Sequence, residues 1–128
     1  MKQLIYRVAL YMRLSRDDED YGESVSIETQ RKIITQFANE QHFIIVDEYI
    51  DDGWSGTNFE RPAVKELLEQ VRRGQINCIV VKDLSRFGRD YLTVGDYISR
   101  VFPFLGVRFI SINDGFDSSN PLDIDSLD

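Results

Sequence analysis

The chain has 128 residues, 42% of them apolar and 29% charged, enough for one domain with a buried core; this excludes a disordered chain, a membrane-embedded one and a multidomain assembly. A single cysteine, Cys78, and a single histidine, His42, exclude an intramolecular disulfide and leave no ligand set for zinc or haem, the profile of a cytosolic protein. The net charge of −7 excludes a uniformly basic surface, yet ten of the 22 acids fall in two stretches free of Lys and Arg, 17–23 and 114–128, leaving 12 acids against 15 basic residues.

In chain order, the N-terminal run MKQLIYRVALYMRL is interrupted by Arg7 and Arg13 and followed by no small-residue cleavage site, so it reads as a strand over Leu4–Met12 rather than an export signal. Ser26 to Gln41 places Ile27, Ile34, Phe37 and Ala38 on one helical face, with Ser26 as N-cap and Glu28 in the first turn. A strand follows over Phe43–Ile50. The next helix starts at Pro62, a favoured first position, runs through Val64, Leu67, Leu68 and Val71, and stops at Gly74. Ile76–Val81, which contains Cys78, is a third strand. A third helix spans Leu92 to Phe102 and is predicted to end before Pro103. Val107–Ile112 is the fourth strand, and the Pro-, Ser- and Asp-rich tail from about 117 to 128 reads as a loose end.

The strands are short and nearly continuously apolar, as strands buried on both faces should be. Their alternation with helices predicts an α/β domain with a mostly parallel central sheet of about four or five strands flanked by helices. In such sheets the chemistry lies at the carboxyl ends of the strands, here in YMRLS, DDGWSG and KDLSRFGRD.

Arg13 and Ser15 are two apart at the end of the first strand, so both point to the same side. Arg86 and Arg89, three apart, share a helical face, and Arg61 precedes the second helix. Arginines converging on a serine suit attack on a phosphodiester, whose transition state spreads negative charge over oxygens that guanidinium forks can hold. The plainer alternative is a turn serine among surface arginines. Asp51 and Asp52 offer a third reading, a Mg²⁺-dependent nuclease or phosphatase, and also an aspartyl phosphate acceptor of receiver type; an Asp-Gly turn needs neither. His42 stands apart from every motif as a solvated turn residue, and no general base adjoins Ser15, which argues against a Ser-His-Asp hydrolase. Trp54 covers the core edge or stacks on a base. The acidic run 17–20 reads as a solvated loop that repels DNA from an unassembled subunit.

YMRLS (11–15), SIETQ (26–30), DDGWSGTNFERP (51–62) and KDLSRFGRD (82–90), followed by GVRFIS and NDGFD, together resemble the catalytic domain of the serine recombinases, most closely the large transposon-type members. The resemblance covers nearly the whole chain in order. It implies that Ser15 is the nucleophile, forming a 5′-phosphoserine link and releasing a 3′ hydroxyl, without metal, ATP or other cofactor. It further implies that Arg13, Arg86 and Arg89 are catalytic arginines, that Arg61 and Gln30 are further active-site residues, and that Asp52 orients arginines. Lys82 and Ser85 are candidates for substrate contact, and Tyr11 is structural. Small resolvases usually carry Asp where Ser85 stands, which leaves the leaving-group acid open, with Asp83 as a substitute. The implied partners are two DNA sites and further copies of the protein, as a dimer and a synaptic tetramer. Members of the family continue into a long oligomerisation helix and DNA-binding domains, so the chain is expected to be a catalytic domain that binds DNA weakly by itself.

Overall fold

The computed structural model describes residues 4–125. Its five strands are β1 (Arg7–Leu14), β2 (Ile44–Asp52), β3 (Cys78–Val81), β4 (Arg108–Ser111) and β5 (Phe116–Asp117), ordered β2-β1-β3-β4-β5. All neighbours are parallel except β5, which runs antiparallel to β4. The predicted mostly parallel α/β sheet is therefore observed.

The period of two along β1 divides the core. Val8, Leu10 and Met12 face one side and pack with Ile34 and Ala38 of α1 (Ile27–Glu40). Ala9 and Tyr11 face the other, against Val64, Leu67 and Val71 of α2 (Pro62–Arg72). Ser26 caps α1 as expected, its Oγ accepting from Thr29 N–H at 3.1 Å.

The edge strand differs from expectation. β2 is largely exposed, and of its residues only Tyr49 and Asp51 are buried. The strand order leaves it one neighbour, and Asp47 and Glu48 break its apolar run with side chains that need water.

The third helical segment also differs. It begins at Tyr91 as α4 (Tyr91–Asp96), widens into a π turn (Tyr97–Val101) and continues as α5 (Phe102–Leu105), with Pro103 inside it. Proline normally breaks a helix by lacking an N–H and crowding the carbonyl four residues back. The preceding π turn, in which Phe102 N–H bonds Tyr97 O five residues back, relaxes that crowding. Termination comes at Gly106, with φ of 72°, where Val107 N–H donates to Phe102 O at 2.8 Å.

Nor is the tail loose through residue 125. Phe116 is buried, Ser118 exchanges hydrogen bonds with the Phe109 backbone at 2.7 and 2.9 Å, and Arg108 pairs with Asp117 at 2.5 Å before α6 (Pro121–Asp125). Residues 126–128 of the predicted tail lie outside the described residues.

Candidate active site

Three loops meet beyond the carboxyl ends of β1, β2 and β3, and Arg13 ties them together. It is wholly buried near the end of β1, with donors directed at backbone carbonyls of the other two loops: Nε to Arg86 O (3.2 Å), Nη1 to Trp54 O (3.0 Å) and Nη2 to Ser85 O (2.8 Å). Gln30, also buried, clamps the Arg13 backbone by accepting its N–H (3.2 Å) and donating to its carbonyl (2.9 Å). Gly56 lies against the guanidinium so closely that a Cβ there would stand 2.8 Å from Arg13 Nη2.

The KDLSRFGRD segment contributes α3 (Leu84–Phe87), anchored by the Phe87 ring, which meets Phe59 and Phe109 at centroid distances of 5.1 Å. This anchor fixes the arginines on either side of it. Arg86, wholly buried, donates through Nη1 to Arg13 O (2.8 Å) and through Nη2 to Glu23 O (3.0 Å). Arg89 stacks on Tyr21, with its guanidinium carbon 3.9 Å from the ring centroid, and pairs with Glu23 at 2.9 Å.

Between Arg13, Arg86 and Arg89 lies Asp18, itself wholly buried. Its carboxylate pairs with Arg13 Nη2 at 3.1 Å, Arg86 Nη1 at 3.2 Å and Arg89 Nη1 at 2.7 Å, and accepts the Ser15 N–H at 2.9 Å. Burial alone would raise the Asp18 pKa, but the bonds from Arg89 and the Ser15 backbone, with the charges of Arg13 and Arg86, hold it below the usual carboxylate range. Burial, despite Asp18, lowers the pKa of Arg13, aided by its cationic neighbours Arg86 and Arg89. Ser15 is half-buried at the start of a 3-10 turn (Arg16–Tyr21). The hydroxyls of Ser15 and Ser55 hold the adjacent Asp17 carboxyl below its usual range, with Ser55 Oγ donating to Asp17 at 2.5 Å.

The structure thus brings together Ser15, Arg13, Arg86, Arg89 and Gln30. Arg61 is set deeper, with Nε bonded to Asn58 O (2.9 Å), Nη1 to the Tyr11 hydroxyl (2.6 Å) and Nη2 to Phe87 O. It braces the loops from beneath. Asp52 is exposed, whereas the buried carboxylate is Asp51, one residue earlier on the inward face of β2. Asp51 accepts from the Tyr11 hydroxyl (2.7 Å) and from Ala63 and Val64 N–H (2.8 and 3.1 Å), linking Arg61 through Tyr11 to the start of α2. Those bonds engage both Asp51 oxygens, and the strand alternation turns Asp52 away, so the two do not form a shared metal site. Lys82 and Ser85 converge on Asp83, Lys82 at 3.3 Å and Ser85 through its hydroxyl.

Asp18 and Glu23 are the site residues that sequence reasoning missed. Asp18 was expected in a solvated loop; burial among three guanidinium groups overturns that. Its signal was the spacing Ser15-x-x-Asp18, a capping-box pattern in which the acid returns to the Ser backbone N–H.

Fold and site together define an α/β domain, covered on both sheet faces, that holds an anionic group among arginines at the carboxyl ends of its strands. A model of the family "Resolvase, N terminal domain" matches residues 8–125, and the chain belongs to that family. The structure is similar to the N-terminal catalytic domain of TP901-1 integrase, with a TM-score of 0.84 and 28% identity over 94% of this chain and 88% of that one. It is also similar to a resolvase family site-specific recombinase from Streptococcus pneumoniae, with a TM-score of 0.76 and 31% identity over 95% and 83% of the two chains. Serine recombinase gin of Escherichia phage Mu is 29% identical over 116 residues, 88% of this chain and 50% of gin. The chain spans half or less of the length of the curated relatives it matches. Among the described residues, no helix is long and apolar enough to cross a membrane.

Proposed function

We propose that the chain is the catalytic domain of a serine site-specific DNA recombinase of transposon type. The Ser15 oxygen attacks the scissile phosphorus, the bond to the 3′ oxygen breaks, and a 5′-phosphoserine forms; the serine proton passes to an acceptor and the departing 3′ oxygen gains one. Rejoining to a new partner is the reverse step, and because the phosphoester energy stays in the covalent link, no ATP is required. Arg13, Arg86 and Arg89 hold the non-bridging oxygens as charge develops on them. Gln30 and Arg61 position the arginine-bearing loops. Lys82 and Ser85 act through Asp83, whose pKa burial would raise but which the Ser85 hydroxyl, Arg86 and Lys82 hold below the usual carboxylate range. The partners are two DNA sites and further copies of the protein, as a dimer and then a synaptic tetramer.

The observation that carries this reading is the convergence of three buried or nearly buried arginines on one anion beside Ser15. The test is to incubate the full-length protein with DNA carrying its recombination sites in EDTA, quench with detergent and assay for protein bound to DNA ends. A chelator-resistant adduct is expected from the wild type and none from Ser15→Ala. Cleavage that requires Mg²⁺ and survives Ser15→Ala would overturn the assignment.

A further inference from the structure

We infer that Asp18 is an internal stand-in for the scissile phosphate, and that the turn bearing it must leave the arginine pocket before DNA can occupy it. This rests on the recombinase reading for the identity of the displacing ligand, but the competition itself follows from the arginine geometry.

The carboxylate presents two oxygens that share one negative charge, as the non-bridging oxygens of a phosphodiester do. Oδ1 takes Arg13 Nη2 and Arg89 Nη1, at 3.1 and 2.7 Å; Oδ2 takes Arg86 Nη1 and the Ser15 N–H, at 3.2 and 2.9 Å. Those are the guanidinium donors assigned above to the substrate, so a phosphate and Asp18 cannot both hold them. Glu23 reinforces the closure by taking Arg89 Nη2 at 2.9 Å.

The segment that would have to move is short. Within the turn Arg16–Tyr21 only Asp18 is buried, while Arg16, Glu19, Asp20 and Tyr21 are exposed. It ends at Gly22, with φ of 68°, in the left-handed conformation that glycine adopts without strain. Besides Asp18, the turn is held by the Asp17–Ser55 bond and by Tyr21 on Arg89. No strand or long helix needs to unpair.

The pocket favours exchange of one anion for another over simple opening. Withdrawing Asp18 alone takes from the wholly buried Arg13 its carboxylate partner and leaves Arg86 to Asp83 and Glu23 and Arg89 to Glu23 alone, and removing one member of such a buried cluster is strongly unfavourable. Entry of a phosphate as the carboxylate departs avoids that state. The closed turn lowers the apparent affinity for phosphate by the fraction of molecules that are open, so a site open in about 1% of molecules would bind about 100-fold more weakly.

The test compares full-length wild type, Asp18→Asn and Asp18→Glu by titrating inorganic sulfate at fixed ionic strength and reading the thermal midpoint. Asparagine keeps the size and the acceptor for Ser15 N–H but removes the charge; glutamate keeps the charge. Asp18→Asn is expected to be stabilised by sulfate with a half-saturation at least about 10-fold lower than wild type, with Asp18→Glu nearer wild type. If Asp18→Asn is unfolded in chloride, refolding by sulfate supports the inference and failure to refold contradicts it. Equal or weaker sulfate response in Asp18→Asn overturns it. The Ser15 adduct assay, run in parallel, separates the two readings: tightened sulfate binding without an adduct would defeat only the recombinase assignment, and an adduct without tightening only the internal competitor.

Discussion

At the scale of single residues, the site depends on contacts with no spare room. Gly56 is such a contact: a methyl group there would meet Arg13 Nη2 at 2.8 Å and Arg89 Cγ at 3.1 Å. Gly56→Ala is expected to displace the guanidinium and slow adduct formation about 100-fold, as small misplacements of catalytic groups do. The overpacking should cost about 1–3 kcal/mol. Single-turnover cleavage with a urea melt on the same preparation checks both, and undiminished cleavage would show that Arg13 tolerates the shift. Much of this site was legible from residue spacing. Arg13 and Ser15 share a side because strands have a period of two, but the shared helical face expected for Arg86 and Arg89 does not form: Arg86 lies within α3 and Arg89 beyond its end at Gly88, and the two meet at Asp18 from there. Asp18 was hidden because an aspartate within an acidic run looks solvated until the distant arginines that bury it, 68 and 71 positions further on, are brought against it.

At the scale of elements, the loops are braced by a buried chain running from Asp51 on β2 through the Tyr11 hydroxyl on β1 to Arg61 before α2. The Tyr11 pKa is pushed far up by burial, with Asp51 adding to the shift and Arg61 opposing it, so the hydroxyl stays protonated and can donate to Asp51 while accepting from Arg61. Tyr11→Phe leaves both neighbours short of a partner and is expected to destabilise by about 1–3 kcal/mol. Asp52→Asn, on the exposed face, should change stability by no more than about 0.5 kcal/mol. Equilibrium urea titration of the two variants distinguishes them, and equal effects would contradict the brace. The alternation of apolar runs with helical periods was enough to read the parallel sheet. Pro103 misled because its tolerance depends on the π turn before it, a backbone adjustment stabilised by packing of Ile98 and Phe102 in the core. Asp51 and Asp52 could not be told apart without β1, whose pairing with β2 sets which of them faces inward.

At the scale of the molecule, the balance of charge governs stability as well as binding. Asp18, Asp83 and Asp117 all have folded pKa values below the ordinary 3.8; burial opposes this in each case but is outweighed by cationic and hydrogen-bonding partners. A carboxyl depressed in the folded state contributes stability that is fully present above its unfolded pKa and lost as pH falls through the folded one. Stability attributable to these groups should therefore be level between about pH 7 and pH 5 and fall below about pH 4, and the urea midpoints at those pH values measure it. An unchanged midpoint at about pH 3 would mean that the buried ion pairs contribute little net stability. The most direct measurement of the central assignment is to digest the protein–DNA adduct formed in EDTA and locate the linkage by mass spectrometry. A DNA 5′ phosphate on the Ser15 peptide, with a free 3′ hydroxyl on the other end, is the expected result. A linkage at any other residue, or cut DNA whose two ends both lack protein, would contradict it.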